Sequence, residues 1–286
     1  VSVTALALGP GRRRAHRRVL PGFGLTLGLT LTWLGLILVL PLAALVAKAA
    51  GLGWSGILDH LAEPRTRAAF AVSFGIAFAA ALVNGLLGLL VAWVLVRYRF
   101  AGRRLLDGLV DLPFALPTAV AGITLATLSS DVGWVGALLA PFGIEVSYTR
   151  LGIFVALLFV GFPFVVRTLQ PLLADLDREA EEAARTLGAG EAYIFLRVVL
   201  PPLVPGVLTG TALAFARGVG EYGSVIFIAG NQPGISEIVP LLIVGKLEQF
   251  DYAGAAAIAC AMLAAAFAVL FAINLLERWT RYRHGG

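Results

Sequence analysis

Apolar residues fall into six long runs separated by shorter polar stretches, roughly 22 to 48, 68 to 96, 105 to 129, 151 to 172, 201 to 229 and 253 to 276. A helix needs about 20 residues to cross the hydrocarbon core of a bilayer, so every run is long enough to span it. The pattern predicts an all-α, polytopic membrane protein with six transmembrane helices. Asp107, Asp111, Pro113 and Pro117 interrupt the third run, which is tolerated where neighbouring helices satisfy the freed backbone groups. Between the first two runs, Trp54, Ile57, Leu58 and Leu61 predict a short amphipathic surface helix that ends near Pro64.

This gives a basic amino-terminal segment (1–21), a first helix (22–48), an outer loop (49–67), a membrane core (68–276) containing a long inner loop (173–200), and a basic tail (277–286). The first helix reads as an appendage to a more compact group of five.

Composition agrees with the pattern. Only 14% of residues are charged, against about 25% in soluble domains. The net charge of +5 would suit nucleic acid if it were clustered on one surface, but it is spread over loops beside the spans. Topology explains it, because Lys and Arg in short loops are retained on the cytoplasmic side. Arg12, Arg13, Arg14, Arg17 and Arg18 precede the first run, and Arg97, Arg99, Arg103 and Arg104 follow the second. Arg178, Arg185 and Arg197 lie in the long loop, and Arg278, Arg281 and Arg283 in the tail. Both termini are therefore expected in the cytoplasm. Ala47-Lys48-Ala49 resembles a cleavage site, yet the preceding apolar run is too long for a signal peptide, so an uncleaved helix is expected.

The long inner loop is unusually structured. Asp177 can cap a helix that carries Glu179, Glu181 and Glu182 in its first turns. Arg185 lies one turn beyond Glu181, where the two can pair. Gly188 is suited to end that helix, and a second short helix is expected from Glu191 to Val199 before Pro201.

Glu182-Ala183-Ala184, three residues, Gly188, nine residues and Val198-Val199-Leu200-Pro201 resemble the E-A-A-x3-G-x9-I-x-L-P signature of ABC importer permeases, with valine in place of isoleucine. The alternative is an ordinary amphipathic surface helix, since Ala and Glu are common helix formers. The resemblance implies the type I (MetI-like) importer fold. It also implies that Glu182, Ala183, Ala184 and Gly188 dock in a cleft of an ATP-binding subunit, with Leu200 and Pro201 opening the next span.

Asp111-Leu112-Pro113-Phe114-Ala115-Leu116-Pro117-Thr118-Ala119-Val120-Ala121-Gly122 and Gly218-Val219-Gly220-Glu221-Tyr222-Gly223-Ser224-Val225-Ile226-Phe227-Ile228-Ala229-Gly230-Asn231 resemble sulfate and thiosulfate permeases of the CysT type. Molybdate permeases are similar around the fifth run. The resemblance implies four kinds of partner: two ATP-binding subunits, a related second permease, an extracytoplasmic sulfate-binding protein and the lipid bilayer of a bacterial inner membrane. ATP and Mg are expected in the partner subunit, because this chain has no G-x4-G-K-[ST] and no cofactor is expected on it.

Arg217 and Glu221 lie one helical turn apart inside the fifth run, about 24 Å along a helix begun at Pro201. Charges at membrane depth are costly and face protein or a wet cavity. One reading has Arg217 meeting a tetrahedral dianion, with Gly218, Gly220 and Gly223 letting backbone N–H groups approach and Ser224 lining the cavity. The other is an ion pair that only braces the helix. Asn84, Thr118 and Thr124 are open in the same way between cavity lining and packing.

Other classes fare less well. A secondary carrier also uses broken helices and buried charge, but needs no docking helix. An intramembrane enzyme lacks the means, because His16, His60 and His284 all fall outside the runs and no H-E-x-x-H occurs. Gly51-Leu52-Gly53-Trp54-Ser55-Gly56 matches a dinucleotide fingerprint in letters alone, with no strand before it.

Overall fold

The computed structural model describes residues 23–284, with side chains as far as 276. Arg12 to Arg18 lie outside these residues, as do the side chains of the tail arginines. In chain order the α-helices are α1 (Phe23–Leu34), α2 (Leu40–Ala50), α3 (Gly53–Ala62), α4 (Pro64–Arg97), α5 (Arg103–Val110), α6 (Leu112–Ala115), α7 (Thr118–Ser129) and α8 (Trp134–Leu139). They continue as α9 (Arg150–Asp175), α10 (Glu179–Thr186), α11 (Glu191–Ile194), α12 (Leu200–Val219), α13 (Val225–Ile228), α14 (Val239–Glu248) and α15 (Tyr252–His284). Among the described residues there is no strand. Five helical runs are long and apolar enough to cross a membrane, or six if α7 and the helix after it, bent by 41°, count as one broken span.

The chain divides into two units between Leu45 and Val46. In the first, α1 buries no side chain, and Leu25, Leu29, Leu31 and Trp33 are all exposed. Such a helix, apolar on every face, suits lipid.

The second unit is built on α4, α9 and α12, each packed against the other two. Small residues permit the approach: a side chain on Gly210 would come within 3.0 Å of the Val165 backbone. Large apolar side chains fill what remains, with Phe215, Leu169, Leu173 and Ile153 almost wholly buried. At the end where α4 and α9 begin, Arg65 grips Glu237 through Nε and Nη2 at 2.8 and 2.7 Å. Arg150 donates to the Ile235 carbonyl at the same end. At the opposite end, α10 joins α9 to α11.

Prolines shape the spans. Leu40-Pro41 and Leu200-Pro201 each follow one π-helical turn, Gly35–Val39 and Phe195–Val199. A proline ring collides with the carbonyl four residues back and brings no N–H. The wider turn accommodates it, with the Leu40 and Leu200 N–H groups reaching the Gly35 and Phe195 carbonyls. The short helix expected at 191–199 is therefore continuous with the span after it, as one run from Glu191 to Val219.

That run stops ten residues short of the expected 229, because the chain breaks between Gly220 and Ser224 before α13. The third apolar run is also not one helix. Leu116 is extended (φ −86°, ψ 135°) ahead of Pro117, as the ring of a following proline requires. This leaves α5 and α6 as separate short helices, and α7 as the apolar segment.

Candidate functional site

The loop between α9 and α12 folds as a compact foot. Asp177 Oδ1 accepts from the Glu179 N–H at 2.9 Å and caps α10. Gly188 closes the helix in the left-handed region (φ +84°). The Ala189 N–H then reaches the Ala184 carbonyl at 3.1 Å, closing the turn with carbonyls that would otherwise go unpaired. The expected pairing of Glu181 with Arg185 does not form. Arg185 turns forward to hold both carboxylate oxygens of Glu191 at 2.8 and 3.0 Å, because the Gly188 turn brings α11 alongside. Glu181 instead pairs with Arg97 at the end of α4, both side chains being mostly shielded.

The two motif alanines point in different directions. Ala184 packs against the buried core, whereas Glu182 and Ala183 are exposed on the outer face of the foot. Leu187 stands 88% exposed beside them, with Tyr193 and Leu196 also uncovered. Leu200 and Pro201 are partly buried where the long span begins.

Nearer the opposite end, Arg217 and Glu221 form the ion pair that their spacing predicts, Nη1 to Oε2 at 2.5 Å. The partners differ in surroundings. Glu221 is 2% exposed and Arg217 about a third exposed. The other Glu221 oxygen accepts from both the N–H and the hydroxyl of Ser224, each at 2.9 Å. Glu221 is thus held from three sides, while Nε and Nη2 of Arg217 have no protein partner among the described residues. A guanidinium committed on one edge and open on the other can meet an oxyanion without surrendering its counter-charge.

The glycines serve packing as well. A side chain at Gly223 would strike the Thr118 hydroxyl, and one at Gly122 would strike the Ser224 carbonyl. The 220–224 turn is therefore pressed against α7, which accounts for Thr118, Gly122, Gly223 and Ser224 as one contact. Gly218 is buried against Ala77 and Leu157, and Gly220 is exposed. Thr124 is exposed on α7. Asn84 is 1% exposed and neither of its amide atoms has a partner.

Arg167 was not singled out by the sequence, yet it makes the densest polar node among the described residues. Its Nε and Nη2 hold Asp111 at 2.8 and 2.5 Å. Nη1 reaches Asp107 and Gln170 at 2.8 and 2.5 Å, and Nη2 also reaches the Asp107 carbonyl at 2.8 Å. The carboxylates that interrupt the third apolar run are thereby explained. The signal was a lone arginine deep in the fourth run together with two aspartates four residues apart.

A polar cavity of about 520 Å³ opens at the end of the bundle where α9 begins, lined in part by Asp131, Glu145, Tyr148, Arg150 and Gln232. None of the pathway residues expected from the sequence lines it, and its two carboxylates make it a poor seat for an anion.

Residues 84–282 match the family described as "Binding-protein-dependent transport system inner membrane component". The chain is 53% identical over 252 residues to the sulfate transport system permease protein CysT of Synechocystis, covering 88% of each. It is also 53% identical over 263 residues to the proteins of the same name in Salmonella typhimurium and Escherichia coli, covering 92% of this chain and 95% of each relative. Among solved structures, a bacterial ABC transporter involved in alginate import aligns with a TM-score of 0.75 over 90% of this chain and 96% of that one, at 16% identity. A second, the alginate transporter in complex with its alginate pentasaccharide-bound periplasmic protein, aligns with a TM-score of 0.75 at 18% identity. At such identities the likeness is one of fold.

Proposed function

This chain belongs to the family of inner membrane components of binding-protein-dependent transport systems, and we propose that it is the permease subunit of an ATP-driven sulfate and thiosulfate importer. The substrate rests on the relatives, which are sulfate permeases over almost the whole length of this chain. The observation that carries the ATP-driven reading is the foot, in which Glu182, Ala183 and Leu187 are uncovered on a helix anchored by Asp177, Gly188 and the Arg97–Glu181 pair.

In this reading the foot faces the cytoplasm and docks in a cleft of one of two ATP-binding subunits, where ATP and Mg act. A related second permease completes the path, and an extracytoplasmic binding protein delivers the anion to the opposite end. Closure of the ATPase dimer moves α10, and α4 and α9 move with it because both are fastened to it. A rigid link is required, since ATP can shift an access equilibrium only through contacts that differ between the two states.

Arg217 offers the anion its open edge. Glu221 keeps the site electrically neutral when empty, which lowers the cost of a charge at this depth and keeps binding weak enough for release. The test is uptake by proteoliposomes containing the full complex, with thiosulfate and molybdate as competitors. Paired neutral substitution, Arg217→Gln with Glu221→Gln, avoids leaving a lone charge. It is expected to keep the protein folded and to abolish preference among the anions. Unchanged uptake and preference in that variant would remove Arg217 from the path. Absence of ATP-dependent sulfate uptake by the unmodified complex would remove the substrate assignment.

A further inference from the structure

All five N–H donors of Arg167 are occupied, two on Asp111, one on the Asp107 carboxylate, one on the Asp107 carbonyl and one on Gln170. Gln170 returns a hydrogen bond to Asp107 at 2.9 Å. The node carries one positive and two negative charges, so it is no site for an anion. What it does is join α9 to α5 and α6.

Apart from the node these helices bury little, and the edge-on Phe114–Phe164 pair at 5.1 Å is the aromatic contact that ties α6 to α9. Val110 is the one buried residue of α5 and α6 has none, while Leu105, Leu106 and Leu109 are exposed. A bidentate guanidinium–carboxylate fork fixes direction as well as distance, so it can act as a joint where apolar burial is slight. On one side of the node, Arg167 lies eight residues from Asp175, the end of α9, or about 12 Å along the helix. Four residues further on, at Glu179, α10 begins. On the other side, Asp111 immediately precedes α6, its carbonyl accepting from the Phe114 N–H at 2.9 Å, and Leu116 and Pro117 lead directly into α7. The α7 residues Thr118 and Gly122 press on Gly223 and Ser224, and Ser224 holds Glu221.

These contacts form an unbroken series from the foot to Arg217. We propose that Arg167 is a positioning residue that transmits movement of α10 and α9 to α7 and the 220–224 turn, and that it stays clamped to Asp107 and Asp111 in both access states. The proposal rests on the importer reading above.

Two measurements test it in the reconstituted complex, with Cys260→Ala to remove the native thiol. With Arg167→Gln the complex is expected to assemble and to hydrolyse ATP. Hydrolysis should no longer rise with sulfate-loaded binding protein, and uptake should fall about tenfold or more, as loss of a coupling interaction predicts. Mere packing would not move that stimulation. In the second, Asp107→Cys and Gln170→Cys are bridged by a short bifunctional thiol reagent. These substitutions remove part of the clamp, and the bridge replaces it with a link that never opens, so uptake should rise on bridging. Arrest on bridging, or normal stimulated uptake with Arg167→Gln, overturns the proposal. Failure of the unmodified complex to move sulfate would instead count against the importer reading.

Discussion

Arg97, the last residue of α4, meets Glu181 in the first turn of α10 at 2.5 Å, joining segments 84 residues apart in the chain. Side-chain exposures of 9% and 17% set this pair apart from the open Arg185–Glu191 contact. Shielded pairs resist screening by salt, whereas exposed ones contribute little. The foot is thus attached to the bundle through charge to α4 as well as through the chain to α9 and α12.

Reversing either charge, Arg97→Glu or Glu181→Arg, should place like charges together and cut ATP-driven uptake by roughly 5- to 150-fold, the usual range of a coupling interaction. Making both changes should recover much of the loss. Uptake assays on the four proteins check this, and unaffected single variants would show that the pair carries no force.

Gly188 is required for its backbone conformation, because φ is +84° and nothing lies within 4 Å of where a Cβ would stand. An L-residue there costs about 1 to 2 kcal/mol, with Asn tolerated better than most. Uptake should therefore decline in the order Gly188→Asn, Gly188→Ala, Gly188→Val, with the amount of inserted protein unchanged. Equal activity in all three would contradict the reading of the turn.

The Arg217–Glu221 pair should respond asymmetrically. Removing Arg217 leaves a carboxylate 2% exposed with only Ser224 to hold it, while removing Glu221 leaves an arginine already a third exposed. Breaking a buried pair costs about 3 to 5 kcal/mol when the survivor cannot reach water. Thermal unfolding in detergent should show Arg217→Ala as the more damaging change, with Arg217→Ala plus Glu221→Ala recovering part of the loss.

Asp251 caps α15 by accepting from the Gly254 N–H at 2.9 Å. That bond, helped by Lys246, holds its carboxyl below the ordinary value. A carboxyl depressed on folding stabilises above its unfolded value of about 3.9 and loses that contribution as pH falls through the folded value. The stability advantage of the wild type over Asp251→Asn should be constant near neutral pH and fade below about pH 4. Melting curves across that window check it.

The spans at 64–97, 150–175 and 252–276 were legible because length and apolarity alone define a membrane helix. Breaks inside apolar runs were less so. Asp107, Asp111, Pro113 and Pro117 marked the third run as interrupted without showing where its helix breaks, whereas hydropathy averages across Gly220–Ser224, which looks continuous until the backbone is seen. The foot was legible in outline from Asp177 and Gly188, whose roles are local. Its anchor was not, because Glu181 had a nearer candidate in Arg185 and only the tertiary fold brings Arg97 within reach. Arg167 was hidden for the same reason: its carboxylate partners lie 56 and 60 residues away.

Docking of the foot on an ATP-binding subunit is tested with Leu187→Cys in the Cys260→Ala background, since residue 187 is 88% exposed on the foot. A short thiol cross-linker is applied to membranes containing the complete complex, whose ATP-binding subunit carries a cysteine in its docking cleft. An adduct of permease and ATP-binding subunit is expected, with a yield that changes when ATP is added. No adduct in actively transporting membranes, or labelling of the introduced thiol from the external side of intact cells, would contradict it.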